Sequence, residues 1–449
     1  MKALIAFYGN SRIVREGLLI TLILLGIYLI TEPTIVVNGG RGWDGVYYVN
    51  LAQGTPPSQI DVPFRYRVLL PMIVRGLSPT NELESVLTTF RCVNLTAGVL
   101  LSFTTYLLFG ALFPGAPPAC RLIGLLLLNC SPHSVLRSSA HYGTTSDPIS
   151  MLLLNLLIMI LVALTHRRAA RIGIGFLAVA CFAVFFFGVM SRENFLMYFV
   201  MIPCAMFRQY GGAFSLVPEW HRRIGVCVAG VGGLLGIWAG LEIVTHLSGS
   251  FPSSGKIETF EHYASTNTLL VVSTALVNVF AMPLLFLIAA QPGRVSKEEN
   301  ELEGVALALR CILAITIGVG VGGGSDLERF FSWAIVPCLL LTVPAVEQVV
   351  RRRNFAIWLL LFACFVIQYR VPWPLPVDAR PYNERDFPDP FFLTILGDFP
   401  LLFKYAVYQT VAVRFLTVKT FLVAASFVYM VAGFRTRPLP AVIVSQERT

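Results

Sequence analysis

The side chains able to do chemistry in this 449-residue chain are concentrated in short segments between long apolar runs. The first segment, 41–52, carries Asp44 beside Trp43, with Tyr47 and Tyr48 close behind. Apolar residues follow at helical spacing, which predicts a short helix lying at a membrane surface with Asp44 at its start. A carboxylate within hydrogen-bond reach of an acceptor hydroxyl can remove its proton. Asp44 is therefore our candidate for a general base.

A second segment of the same region alternates arginines with aromatic residues. Arg65 and Arg67 alternate with Phe64 and Tyr66 just before an apolar stretch. Guanidinium groups bind phosphate oxygens well, and aromatic rings are typical of the lipid headgroup layer. Taken alone, an aromatic belt with interfacial charges explains this segment equally well.

Shorter segments place further acids and arginines between apolar runs. These candidates are His141, Asp147, Arg192, Glu193, Asp326 and Arg329. Each has a structural alternative. Asp147 before a proline is an ordinary helix start. Ser325 and Glu328 have the spacing of a capping box. Arg192 and Glu193 are typical of an ion pair in a tight turn.

The composition predicts that these segments belong to an integral membrane protein. Hydrophobic residues make up 56% of the chain and charged residues 13%, against about a quarter charged in soluble domains. Apolar runs of the ~20 residues that cross a bilayer recur along the chain and predict an all-α, polytopic transmembrane bundle of about twelve spans. The predicted spans are 17–37, 87–113, 122–137, 148–164, 172–190, 194–207, 224–246, 268–290, 304–322, 330–350, 355–371 and 415–434.

Short basic clusters between the spans predict the orientation. They are 167–171, 208–223, 294–297, 351–353 and 435–437. All fall on one side, so by the positive-inside rule that side and both termini are cytoplasmic. The opposite side receives the first loop, 38–85, and the last loop, 372–414, together with the segments described above. We treat 1–449 as a single transmembrane domain located in the plasma (inner) membrane.

The charge and cysteine patterns exclude some classes of function. The net charge of +9 comes from clusters at helix ends, which carry topology information, so we expect no nucleic-acid partner. The nine cysteines lie in or beside apolar segments with no CxxC spacing, which predicts neither a disulfide framework nor a thiolate metal site.

Taken in chain order, the segments resemble the GT-C superfamily of membrane glycosyltransferases, which includes protein and GPI mannosyltransferases and lipid A aminoarabinose transferases. The resemblance covers most of the chain through short motifs. These are Trp43-Asp44-x-x-Tyr47-Tyr48, Phe64-x-Tyr66-Arg67-x-Leu69-x-Pro71, Thr145-x-Asp147, Ser191-Arg192-Glu193 and Gly324-x-Asp326-x-x-Arg329.

The resemblance implies a sugar donor on a polyprenyl phosphate or pyrophosphate, and a catalytic acid in the first extracytoplasmic loop, where Asp44 is the matching residue. Many members carry two adjacent acids there, whereas Asp44 stands between Trp43 and Gly45. No cofactor is therefore assigned, and a divalent metal is left open.

In this interpretation, arginines stabilise the growing charge of the phosphate leaving group. The candidates for that role are Arg65, Arg67, Arg192 and Arg329. The remaining substrate-binding candidates are Tyr47, Tyr48, Tyr66, His141, Asp147, Glu193 and Asp326. The expected partners are the lipid-linked donor, a glycan, lipid or protein acceptor, and the bilayer.

The main alternative is a secondary transporter or flippase, which also has about twelve helices. A noncatalytic scaffold is a third alternative. Transporters usually place ionisable residues near the bilayer midplane. Here the predicted spans are nearly free of charge at their centres, which favours chemistry at a membrane surface.

Overall fold

A computed structural model describes most of the first 369 residues. The described residues are 11–31, 34, 38–42, 44–130, 134–165, 173–210, 213–216, 220–249, 269–289, 305–323, 327–352 and 354–369. Trp43, Asp326, the predicted last loop at 372–414 and the predicted span at 415–434 lie outside them.

Helices dominate the described chain, as the all-α prediction requires. They are α1 (Ser11–Thr31), α2 (Gly45–Ala52), α3 (Leu69–Leu77), α4 (Leu83–Leu112), α5 (Pro118–Asn129), α6 (Val135–His141), α7 (Asp147–Thr165), α8 (Ile174–Ser191), α9 (Met201–Cys204), α10 (Trp220–Ser248), α11 (Leu269–Ala289), α12 (Ala306–Gly323), α13 (Leu327–Ser332), α14 (Ile335–Arg352) and α15 (Phe355–Tyr369). Short 3-10 helices lie at Pro57–Gln59, Phe64–Tyr66 and Glu193–Val200.

One antiparallel hairpin departs from the all-α prediction. Strands β1 (Phe207–Tyr210) and β2 (Ala213–Leu216) pair with Phe207 opposite Leu216 and Tyr210 opposite Ala213. The hairpin occupies one of the predicted basic connections, between α9 and α10. Strands this short were not predicted because four residues carry too little periodicity to be distinguished from a loop.

Five helices are long and apolar enough to cross a membrane, judged by length and composition. They cover Arg12–Thr31, Leu83–Leu112, Asp147–Thr165, Ile174–Ser191 and Arg223–Ser248. These helices lie where five of the predicted spans were placed, and they support a membrane protein. The total of about twelve spans stays a prediction.

Two predicted spans are each divided into two helices. The span predicted at 122–137 is α5 followed by α6, because Ser134 begins a new helix by accepting a hydrogen bond from the backbone N–H of Arg137 at 3.3 Å. In the sequence, Pro132 also disfavours helical backbone at the residue before it. The span predicted at 330–350 is α13 followed by α14, with a turn at Trp333.

The span predicted at 194–207 is a 3-10 helix followed by the single turn α9. Together these two elements contain 12 residues, fewer than the ~20 that an α-helix needs to cross the hydrocarbon core. The chain folds back tightly onto α8. This is seen at Gly188, where an added Cβ would lie 2.2 Å from the Phe195 ring. Glycine at that position therefore permits the close approach.

Helices α8 and α10 pack backbone to backbone through Gly232, Gly236 and Gly240, which recur at every fourth position. A Cβ added at Gly236 would lie 2.3 Å from the carbonyl oxygen of Phe182, and one at Gly232 would lie 2.4 Å from that of Ala178. Small residues at such spacing let transmembrane helices approach closely. This contact fixes α8, whose last turn leads into the functional segment described below.

We expect Gly236→Ala to destabilise the protein by about 1–3 kcal/mol, because rigid backbone atoms cannot yield to the added methyl group. The matched control is Gly175→Ala on α8, where an added Cβ meets nothing within 4 Å. Thermal unfolding in detergent compares the two variants. Equal midpoints would contradict this account of the α8–α10 contact.

The first loop is a folded layer packed on the helix ends. Its α2, α3 and Phe64–Tyr66 elements bury residues against α4, α7, α8 and α10. This buried cluster contains Tyr48, Val49, Ala52, Tyr66, Val68, Leu69, Leu70, Val74, Val86, Phe90, Ala97, Ile149, Met190 and Val244. The packing holds the start of α2, and hence Asp44, above the bundle.

Candidate functional site

Arg329 of α13 bridges two aspartates that lie far apart in the sequence. Its Nη1 donates to Oδ2 of Asp44 at 2.9 Å, and its Nε donates to Oδ2 of Asp147. Asp44 stands at the N-cap of α2, as predicted, but its side chain makes no capping hydrogen bond. The carboxylate is instead directed toward the arginine.

Asp147, the first residue of α7, is the central anchor of the site. Its Oδ1 accepts from Nη2 of Arg192 at 2.7 Å and from the indole Nε1 of Trp333 at 3.1 Å, while Arg329 occupies Oδ2. Both carboxylate oxygens are therefore engaged by protein donors. Asp147 thus does more than cap a helix, and it positions the arginines rather than offering a free carboxylate.

Arg192 lies between α8 and the following 3-10 helix, and its side chain is only 3% exposed. The guanidinium carbon lies 5.0 Å from the ring centre of Trp333 and 5.3 Å from that of Phe330, which are cation–π distances. Burial lowers the pKa of Arg192 to about 10, and the charge of Asp147 opposes this shift. Arg192 therefore remains a cation at neutral pH.

The neighbour of Arg192 in the sequence, Glu193, belongs to a second buried network. Its carboxylate oxygens lie 3.4 and 3.5 Å from Nε and Nη2 of Arg67. Nη1 of Arg67 donates to the Tyr48 hydroxyl at 3.0 Å, and the Ser146 hydroxyl donates to the same oxygen at 3.1 Å. This network joins the first loop to the start of α7, one residue before Asp147.

The loop carrying Asp44 is held against the segment between α6 and α7. The backbone N–H of Gly45 donates to the Tyr142 hydroxyl at 3.0 Å, and the Thr144 hydroxyl donates to the carbonyl of Arg41 at 2.6 Å. A Cβ at Gly45 would lie 2.0 Å from Oγ1 of Thr144. Glycine is therefore required for the contact that places Asp44. Burial raises the pKa of Tyr142, which keeps this hydroxyl neutral.

Other predicted residues lie near the site and make ring contacts. Tyr47 stacks on Phe64 with centroids 4.3 Å apart, and burial raises the pKa of its hydroxyl, with the nearby Asp61 carboxylate adding to the shift. Arg65 donates to the Tyr66 hydroxyl at 3.2 Å and lies over that ring.

His141 ends α6 as a buried residue, just before Tyr142. Asp326 and the proposed capping box at Ser325 lie outside the described residues.

The structure therefore brings together Asp44, Asp147, Arg192 and Arg329, which we call the acid–arginine cluster. These residues come from four separate segments. Sequence reasoning missed Trp333 and Ser146 as supporting residues. The position of Trp333, four residues after Arg329, was a signal that it could share a helical face with that arginine.

Exposure within the acid–arginine cluster rises from Arg192 toward Asp44. The Asp44 side chain is 31% exposed, that of Arg329 is 19% exposed and that of Asp147 is 10% exposed. Within the part of the chain that the structure describes, Arg329 donates a hydrogen bond to Oδ2 of Asp44. Asp44 is therefore the carboxylate that an incoming molecule can reach.

A search for metal-binding clusters among the described residues gives a negative result. Among them, no group of three histidine, cysteine, aspartate or glutamate side chains is arranged to hold a metal ion. Asp44 and Asp147 both pair with arginine in this arrangement.

Comparisons with protein-family models, curated proteins and solved structures find no match to this chain.

Proposed function

We propose that this protein is a membrane glycosyltransferase of the GT-C type, with Asp44 as general base. It would transfer a sugar from a polyprenyl phosphate or pyrophosphate to an acceptor on the extracytoplasmic face. The observation that carries the proposal is the acid–arginine cluster, which joins an accessible carboxylate to two guanidinium groups. A general base and a phosphate-binding group are the two parts that such a transfer requires.

Asp44 is suited to the role of base because its side chain is the most exposed of the four in the acid–arginine cluster. Arg329 donates to its Oδ2. The acceptor oxygen attacks the anomeric carbon and its proton passes to Asp44. The bond from that carbon to the phosphate oxygen breaks, and its electron pair leaves with the phosphate. A direct displacement of this kind inverts the anomeric centre.

The leaving phosphate gains negative charge as the bond breaks, and Arg329 is the accessible cation beside Asp44. A guanidinium donor aimed at developing charge in a partly dehydrated site stabilises the transition state. Arg192 adds positive charge behind Arg329, where aromatic rings and Asp147 keep it in place. Arg67 donates hydrogen bonds to Glu193 and Tyr48, so we propose that it supports the structure around the site and does not bind the phosphate.

The position of the cluster favours chemistry at a surface over transport. Asp147 begins α7 and Arg192 follows the end of α8, so both lie at helix ends rather than in the middle of an apolar helix. Transporters usually place such residues near the midplane. By the positive-inside prediction, this end of the helices is extracytoplasmic and both termini are cytoplasmic.

The proposal is tested with purified protein in liposomes containing polyprenyl-phosphate mannose carrying a radiolabelled sugar. Glycan, lipid and peptide acceptors are supplied in turn, and transfer predicts release of polyprenyl phosphate together with appearance of the label on one of these acceptors. Movement of intact donor between leaflets, without cleavage, would support a flippase instead. Donors with other sugars, or with a pyrophosphate, are screened in the same way.

We expect Gly45→Ala to lower the transfer rate on the order of 100-fold, because a methyl group at position 45 would overlap Thr144 and displace the adjacent Asp44. The matched control is Gly76→Ala on α3, where an added Cβ meets nothing within 4 Å. Initial rates for both variants are measured in the liposome assay. Unchanged turnover by Gly45→Ala would show that this contact does not position the base.

A further inference from the structure

Arg329 contacts two carboxylates at once, and the two differ in their number of hydrogen-bond donors and in their exposure. Asp147 receives three donors and is 10% exposed, whereas Asp44 receives Arg329 as its hydrogen-bond donor and is 31% exposed. The contact between Arg329 and Asp44 is therefore the exchangeable one. An anion arriving at the open edge of the cluster would meet this contact first.

Charge also favours exchange at this position. The acid–arginine cluster contains two carboxylates and two guanidinium groups, so it is neutral as it stands. A phosphate bound there adds negative charge beside Asp44 and competes with that carboxylate for the same donor. Arginine binds phosphate and carboxylate with the same planar fork, which makes the two anions direct competitors.

We propose that Arg329 is shared between Asp44 and the phosphate of a lipid donor, so that phosphate binding releases Asp44 to act as base. This inference rests on the proposed function, because it assigns the phosphate to the donor. Asp147 keeps its hold on Nε of Arg329 throughout, so the guanidinium pivots at its Nη1 end without leaving the site. In the absence of donor, the same pair keeps the base occupied.

The inference makes an unusual binding prediction: removing the proposed base should strengthen phosphate binding. The full-length protein in phosphatidylcholine nanodiscs is titrated with undecaprenyl phosphate at constant ionic strength. Asp44→Asn is expected to tighten binding roughly two- to fivefold, the range that corresponds to loss of an exposed competing ion pair.

The matched control is Asp61→Asn, which removes a carboxylate of the same loop that interacts with Tyr47. It changes the net charge equally, so its effect measures general repulsion together with loss of the contact to Tyr47. We expect it to change the affinity less than Asp44→Asn does. In an Arg329→Lys background, which cannot present the same fork, Asp44→Asn is expected to give no gain over the background.

The outcomes separate this inference from the proposed function. Binding by the wild-type protein with no tightening in Asp44→Asn, or with equal tightening in Asp61→Asn, would overturn the sharing of Arg329 and leave the transferase standing. An absence of binding by every variant would count against both. Inorganic phosphate is titrated in parallel and is expected to bind at least tenfold more weakly. Equal affinity would assign the site to free phosphate and overturn the lipid assignment.

Discussion

Replacing Asp44 with asparagine is expected to abolish sugar transfer while leaving the protein folded. The amide keeps the shape of the side chain but cannot take the acceptor proton, which removes a catalytic contribution of about 10²- to 10⁴-fold. Stability should change little, because the side chain is 31% exposed and makes no capping hydrogen bond. Exposed ion pairs contribute about 0–1 kcal/mol.

The liposome assay and thermal unfolding are run side by side on Asp44→Asn and on Asp61→Asn, the matched change in the same loop. The control should retain most of its activity. Turnover by Asp44→Asn at the wild-type rate would remove Asp44 from the mechanism. A large fall in its unfolding midpoint would instead give Asp44 a structural role.

The second large effect is expected for Asp147→Asn, and here the effect is on stability. Neutralising this carboxylate leaves Arg192, which is 3% exposed, without its compensating charge. Arg329 loses one of its two acids at the same time. Removing one partner of a buried ion pair costs about 3–5 kcal/mol, because the remaining charge stays buried.

Thermal unfolding of Asp147→Asn should therefore show a midpoint well below that of Asp44→Asn, although both substitutions remove one carboxylate from Arg329. The change in net charge is the same in both variants, so a difference between them reflects the deeper burial and the larger number of donors at Asp147. Equal midpoints for the two variants would contradict the role of Asp147 as the anchor of the cluster.

The sequence was informative where apolar length decides the structure. Helices α7 and α8 begin and end within about two residues of the predicted spans, because a run of apolar residues between polar breaks has few alternatives in a bilayer. The short helix after Asp44 was also predicted, since its apolar residues recur at helical spacing.

The pairing of charges was not predictable in the same way. Arg192 and Glu193 are adjacent, which favoured an ion pair between them, yet the structure pairs Arg192 with Asp147 and Glu193 with Arg67. The backbone of Arg192 is extended between two helices, so neighbouring side chains diverge. Partners 45 and 126 residues away in the sequence cannot be recognised from local spacing.

Errors in the helix boundaries have the same origin. The sequence at 194–207 is as apolar as a span, but its path is set by the close packing of Phe195 on Gly188. The break between α13 and α14 likewise coincides with Trp333, whose indole reaches Asp147. In both places a tertiary contact decides where the helix ends. The local sequence pattern does not predict that contact.

The order in which the cluster residues are synthesised has a consequence for biogenesis. Arg329 comes 285 positions after the acid it contacts. Until the ribosome has made α13, the contact between Asp44 and Arg329 cannot form, and Asp147 lacks the donor that Arg329 supplies. A chain interrupted before α13 would therefore insert its early helices with the acid–arginine cluster incomplete.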